Sequence, residues 1–284
     1  MIQKISILVC YFNSEKYIYR ALKSLLNQGN VFIELILVDN NSSDRSFEIV
    51  NSFIKEEINS KLGHLFTVYC LKERRQGLAY ARNAGFGLVS SDYVYILDSD
   101  NQLVPGVLPS VVKLISNINA DCYFLKNKTI TGSELAYGDN FEKFWDINDF
   151  FAYNSELTPI FSKNFIRNHR YFEAAGVTSE LPILLYLKLF KYNYSLYATS
   201  LYGQIYDNGV EEHVRISTAS IFSRRSYAGL VQRHQTLKEF GKILPLRTKF
   251  KYFFEFCVFR LLCFYLGYNV EGFTLKFFFS KSQL

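Results

Sequence analysis

Two aspartates one residue apart, Asp98 and Asp100, follow an apolar run of Tyr93, Val94, Tyr95, Ile96 and Leu97. The run reads as a buried strand, which puts the carboxylates at its carboxyl end. In an open parallel sheet that is the edge where ligands bind. Carboxylates at i and i+2, on a strand just breaking into a loop, can both reach one hard cation, and their mutual repulsion favours one. A plainer assignment also fits the pair taken alone: capping of a helix that starts near Pro105, or a solvated turn.

The elements that must position this pair alternate in type. Residues 4–11 form a β-rich run; Asn13, Ser14 and Glu15 then offer a cap, and 17–26 carries helical periodicity with Ile18, Ala21, Leu22 and Leu25 on one face. Residues 32–38 make a second strand that ends in the polar stretch 39–44, and 47–58 a second helix. A third strand over 65–71, a polar loop over 72–77 and a helix over 78–89 lead to the strand that bears the aspartates. Such alternation predicts an α/β fold with a mostly parallel sheet covered on both faces. The loops 11–14, 39–44 and 98–101 then line one edge of the sheet. For 39–44 an ordinary helix cap is the competing assignment. No Gly-x-Gly-x-x-Gly follows the first strand and no Gly-x-x-x-x-Gly-Lys-Ser/Thr is present, which counts against dinucleotide and P-loop sites.

With 284 residues, 49% of them hydrophobic, the chain can bury a sizeable core. Aromatics reach 17% and the formal charge is +6, a combination that suits nucleic acid or an anionic membrane. The basic residues are spread along the chain, and the densest aromatic-basic cluster is too apolar for a solvated groove, so no nucleic-acid partner is expected. Five cysteines, Cys10, Cys70, Cys122, Cys257 and Cys263, stand in apolar contexts without metal-site spacing and read as buried thiols of a reducing compartment. The amino terminus runs straight into a strand pattern with no signal-peptide core, so a cytoplasmic location is expected.

Four segments, 7–13, 35–44, 76–85 and 96–100, resemble in order and spacing the sequential motifs of the family 2 glycosyltransferases. The resemblance covers roughly the first hundred residues. Cys10 stands where many members have proline, at the strand's exit. What the resemblance implies is a glycosyltransferase A-type fold, Rossmann-like, with a mostly parallel sheet flanked by helices, and an inverting transfer from a nucleoside-diphosphate sugar, UDP-sugars favoured. The aspartate matching Asp39 hydrogen-bonds the pyrimidine base, and the backbone around Tyr11 and Phe12 lies against the nucleotide. Asn13, Asn41, Gly77 and Ser99 fall in the same donor-binding motifs. Arg82 matches a residue that helps hold the aspartate loops, and its planar fork suits a carboxylate or phosphate. Asp98 lies near the ribose or sugar, and Asp100 reaches Mg²⁺ or Mn²⁺ most directly.

Beyond residue 103 the motifs thin out. A helix over 107–118, a strand over 122–126 and an aromatic segment over 145–153 are expected; the last is either core or part of an acceptor groove. Family members carry, at the distance of residues 174–185, an acid at a helix start that deprotonates the acceptor hydroxyl. Glu180 takes that place, with Ser-Glu where an acidic pair is common, and Glu173 is the fallback; a first-turn acid favoured by the helix dipole is the plainer reading of Glu180. The resemblance also implies a His or Arg near the diphosphate or metal, matched here by His213, although a histidine beside two glutamates also reads as a solvated residue. Residues 223–227 read as a phosphate contact or a basic helix end.

From 246 the chain turns basic and aromatic, and 253–268 is apolar apart from Glu255 and Arg260. This is too short and interrupted for a spanning helix. A helix lying in the lipid interface is one reading, with 246–280 as a peripheral contact; packing against the catalytic domain or a subunit is the other. The expected divisions are 1–102 for donor binding, 103–222 for acceptor binding, and a helical extension over 223–284. Together these place the chain at the inner face of the cytoplasmic membrane, transferring a sugar to a glycan or lipid-linked saccharide in cell-surface polysaccharide synthesis. The alternative is a non-catalytic nucleotide-sugar-binding or scaffolding subunit of a polysaccharide assembly complex.

Overall fold

The structure is a computed structural model that describes residues 4–133, 140–153, 156–178, 181–206, 224–266, 268–270 and 272–273. In chain order the first elements are β1 (Lys4–Tyr11), α1 (Ile18–Lys23), β2 (Phe32–Asp39), α2 (Ser46–Phe53), β3 (Phe66–Lys72), α3 (Leu78–Phe86) and β4 (Tyr93–Asp98). There follow β5 (Gln102–Leu103), α4 (Val107–Asn117), β6 (Cys122–Thr129), β7 (Lys143–Phe144), α5 (Ile147–Ala152), β8 (Thr158–Ser162) and α6 (Lys163–Asn168). The last are α7 (Pro182–Lys191), β9 (Leu196–Tyr206), α8 (Arg224–Phe240) and α9 (Leu246–Tyr265). The helices expected over 17–26 and 47–58 keep their places but change pitch, α1 tightening over Ser24–Asn27 and α2 widening over Ile54–Leu62.

The sheet runs β3-β2-β1-β4-β8-β6-β9-β5, with β7 also on β9. Its first four strands are parallel, while β8 lies antiparallel to both β4 and β6. Period-two alternation explains why both faces are covered. Ile5, Ile7 and Val9 of β1 join Leu35 and Leu37 of β2 under α1, α2 and α4. Leu8 and Cys10, with Ile36 and Val38, face α3, α6 and α7. Gly85 lets α3 approach closely, since a Cβ there would run into the Leu8 side chain and lie 3.2 Å from Val38. Trp145 and Phe150 ring Phe124 with Tyr186; of the 145–153 segment Trp145 is buried, while α5 packs its half-buried Phe150 and Phe151 and leaves Asp146, Asn148 and Ala152 exposed.

A third layer, formed by α7, α8 and α9, closes over the second face. Lys249, Phe256 and Cys263 mark the buried side of α9, and Phe259 fits against Gly229 of α8, where a Cβ would meet its ring at 2.8 Å. Arg233 fastens the pair, donating to Glu255 at 2.7 Å. The opposite side of α9 exposes Leu246, Phe250, Phe254, Leu261, Phe264 and Tyr265. No helix among the described residues is long and apolar enough to cross a membrane. No disulfide joins the five cysteines, all of them among the described residues; Cys10, Cys122 and Cys263 are buried as expected, but Cys70 and Cys257 are exposed. Cys70 lies on β3, the sheet's outer strand, and Cys257 on the open side of α9, where an apolar sequence context does not mean burial.

Candidate functional site

The carboxyl ends of β2, β1 and β4 lie side by side, with Asp39 opposite Tyr11 and Asp98 opposite Cys10. The three polar loops therefore meet, as the alternation of elements required. Asn13 and Asn41 turn the chain with φ of +48° and +66°, a region that asparagine tolerates better than most residues. Asn13 Oδ1 accepts from the Ser43 backbone at 2.8 Å, and Ser14 Oγ lies 3.0 Å from Ser99 Oγ. Phe12 leaves its ring exposed at the loop tip.

Asp39 is buried, with Oδ1 accepting the Ser42 N–H at 2.8 Å and Oδ2 4.0 Å from Lys72 Nζ. Burial, and next the charge of Asp39, pushes the Tyr11 phenol above its ordinary range and keeps it neutral. Asn40, which the motif comparison passed over in favour of Asn41, does the knitting. Its Nδ2 donates to the Glu73 and Arg75 carbonyls at 3.2 and 2.8 Å, and its Oδ1 accepts from Gly77 N at 2.8 Å. Asn41 is exposed. Gly77 has φ +141° and sits 3.3 Å, measured from where a Cβ would be, from the Val177 carbonyl, so a side chain there is excluded on both counts.

Arg82 turns inward from α3. Its Nη2 donates to Asp98 Oδ1 at 2.6 Å, with the arginine side chain 9% and the aspartate 37% exposed. The guanidinium also lies 5.5 Å from the Tyr171 ring centre and 3.4 Å from the Tyr171 hydroxyl. Asp98 is thus an ion-pair partner held at the loop, and the following helix, α4, begins at Gly106 with no side-chain cap. The Asp100 carbonyl accepts from Arg20 Nη2 at 2.7 Å. Asp98 and Asp100 offer the hard oxygen donors that Mg²⁺ or Mn²⁺ takes. No group of three or more His, Cys, Asp or Glu gathers at a cation site among the described residues.

Two further residues reach this loop from β9. Gln204 Nε2 donates to the Ile96 carbonyl at 2.8 Å, and its Oε1 accepts from Asn101 at 3.1 Å. The half-buried Tyr206 phenol is raised above its ordinary range, chiefly by burial and then by the charges of Asp98, Glu156 and Asp100. The sequence carried no local signal for either residue. Glu180 and His213 lie outside the described residues, as do Ser179 and 207–223; the neighbouring Thr178 carbonyl accepts from Leu78 N at 3.0 Å, at the start of α3. Glu173 is occupied elsewhere, accepting from Arg75 at 3.2 Å and from Asn83 at 2.8 Å.

The α/β sheet thus gathers a buried aspartate, an arginine-held aspartate and its i+2 neighbour at adjacent strand ends. The Glycosyl transferase family 2 profile matches residues 6–176, and the chain belongs to that family. It is 41% identical over 97 residues to an uncharacterized glycosyltransferase of Haemophilus influenzae, covering 34% of this chain and 36% of that one. It is also 27% identical over 179 residues to the GalNAc(5)-diNAcBac-PP-undecaprenol beta-1,3-glucosyltransferase of Campylobacter jejuni, covering 60% and 55%. The match thus spans from about a third to just over half the length of these relatives. Among solved structures, Staphylococcus aureus TarS in complex with UDP-GlcNAc superposes with TM-score 0.65 at 20% identity, over 96% of this chain and 76% of that one. The mannosyltransferase of Pyrobaculum calidifontis with GDP-Man and Mn²⁺ gives 0.58 at 14% identity, over 93% and 72%. The fold is the glycosyltransferase A type, as the resemblance implied.

Proposed function

We propose that the chain is an inverting glycosyltransferase that moves a sugar from a nucleoside-diphosphate sugar, a UDP-sugar in the first instance, to a hydroxyl of a glycan or lipid-linked saccharide. The observation that carries this reading is the meeting of Asp39, Tyr11, Asp98 and Asp100 at three adjacent strand ends. An ionised Asp39 only accepts hydrogen bonds and so pairs with a base N–H. The exposed Phe12 ring supplies a face for the nucleotide, and the Asn13, Asn41, Gly77 and Ser99 loops border the same space. Arg82 fixes Asp98 against the ribose or sugar. Asp100, with Asp98 and His213, would hold Mg²⁺ or Mn²⁺, which when bound neutralises charge on the departing diphosphate.

In the chemical step the acceptor oxygen attacks the anomeric carbon as the bond to the diphosphate oxygen breaks, and Glu180 takes the hydroxyl proton. The products are the inverted glycoside and the nucleoside diphosphate. Glu180→Gln is expected to lower turnover by at least about 10²-fold while nucleotide affinity stays unchanged. A variant that turns over at the wild-type rate would remove Glu180 from the reaction.

The open side of α9 supports a peripheral membrane contact. Its apolar row is flanked by exposed Arg247, Lys251 and Arg260, a pattern suited to anionic lipid. Phe254→Ser with Leu261→Ser should abolish co-sedimentation with phosphatidylglycerol vesicles, and undiminished sedimentation would contradict the contact. The place of the reaction at the inner face of the cytoplasmic membrane, in cell-surface polysaccharide synthesis, belongs to the same proposal.

A further inference from the structure

An open pocket of about 440 Å³ lies beside α3 and is lined by Arg75, Asn83, Arg170, Tyr171, Glu173 and Lys188 among others. Among the described residues that line it, three cations, Arg75, Arg170 and Lys188, face one carboxylate, Glu173, which is already engaged by Arg75 and Asn83, and Arg75 is also paired with Glu73 at 2.9 Å. Arg170 and Lys188 are both half-buried. Among the described residues neither has a carboxylate oxygen within 4.0 Å; Lys188 Nζ donates to the Arg170 carbonyl at 3.1 Å, and Arg170 Nη1 to the His169 carbonyl at 3.4 Å. Glu239, whose charge acts on Lys188, is paired with Lys191 at 3.5 Å.

Two half-buried cations without a paired anion are an unusual expense of solvation. Burial holds both below their ordinary pKa ranges, as expected for charges that lack a counter-ion. The guanidinium supplies a planar fork and the ammonium a point charge, the pair of donors that phosphate oxygens take. The Arg170 guanidinium lies 5.9 Å from the centre of the Phe86 ring.

We propose that this cavity is a binding site for a phosphate or diphosphate group, held by Arg170 and Lys188 with Arg75 at the rim. It is separate from the Asp98 loop yet touches it through one ring. Tyr171 lines the cavity and also underlies Arg82, the residue that holds Asp98. An anion that orders the 169–173 loop therefore also steadies the arginine clamp. The proposal does not rest on the donor reading, and its test uses no nucleotide.

Inorganic pyrophosphate, titrated calorimetrically into the full chain in EDTA, is expected to bind. Arg170→Gln and Lys188→Gln should each weaken binding about tenfold, and the exposed Arg75→Gln a few-fold. Arg170→Lys keeps the charge and should retain most of the affinity, which separates loss of a ligand group from loss of folding. A parallel titration with geranyl diphosphate distinguishes sources: tighter binding that still needs Arg170 assigns the group to a lipid-linked molecule, and equal binding to a free phosphate. No binding of pyrophosphate, or binding indifferent to Arg170, Lys188 and Arg75, overturns the proposal.

Discussion

Replacing Arg82 by Met is expected to cut sugar transfer by about 10³-fold while the chain remains folded. The side chain is buried under Tyr171 and makes the 2.6 Å bond that fixes Asp98. Methionine fills similar volume without the charge, so Asp98 is left free to swing and the loop loses a cation that offsets its carboxylates from the α3 side. Because Asp98 is 37% exposed, water solvates the orphaned carboxylate, and the cost to stability stays well below that of a fully buried broken pair. Pairing the change with Asp98→Asn should restore melting temperature but not turnover. Wild-type transfer by Arg82→Met would show that the clamp has no part in the reaction.

Glu34→Gln should cost roughly 3 kcal/mol of stability at neutral pH, an effect that acid removes. Glu34 lies near the amino end of β2, one strand in from the sheet's edge, and is fully buried. Lys4 Nζ donates to it at 3.0 Å and Ser90 N at 2.8 Å, with the Ser6 and Ser90 hydroxyls also donating. Burial alone would raise its pKa; the bonds from Ser6, Ser90 and Lys4 outweigh burial and hold it at about 2, against an ordinary 4.5. A depressed folded-state pKa stabilises above the unfolded value. The contribution is therefore complete above about pH 5 and disappears as pH falls through 4.5 toward 2. Urea melts of both proteins across that range check the sign. Parallel curves with a constant gap would place the stabilisation somewhere other than in ionisation.

Residues whose neighbours in space are also neighbours in a motif were legible from the sequence. The ends of β1, β2 and β4 follow from apolar alternation, and Asp39, Arg82 and Asp98 stand in recognisable runs. Asn40 was passed over although it lies in the same run, because its task is to bridge loops some 35 residues apart. Gln204 and Tyr206 were invisible for a stronger reason. They reach the Asp98 loop because β9 pairs with β5, setting Gln204 opposite Leu103, at the end of the order β4-β8-β6-β9-β5, in which strands distant in sequence become neighbours, and no local pattern encodes that order. The β8 segment is five residues long and includes Pro159, which suggests a loop when read alone. Its burial between β4 and β6 makes it a strand. The aromatic stretch around Trp145 was ambiguous for a related reason: ring-rich sequence suits both a sugar-stacking groove and a core, and only packing on Phe124 decides between them.

The central claim is that the loops after β1, β2 and β4 form a metal-assisted nucleotide-sugar site. It is tested most directly by calorimetric titration of UDP, dTDP and GDP into the wild-type chain and Asp100→Ala, each with and without Mn²⁺. Binding of one nucleotide that strengthens with Mn²⁺ and loses that gain in Asp100→Ala is the expected result, and the nucleotide that binds fixes the donor's base. Absence of binding to all three, or binding that ignores both Mn²⁺ and Asp100, would contradict the account.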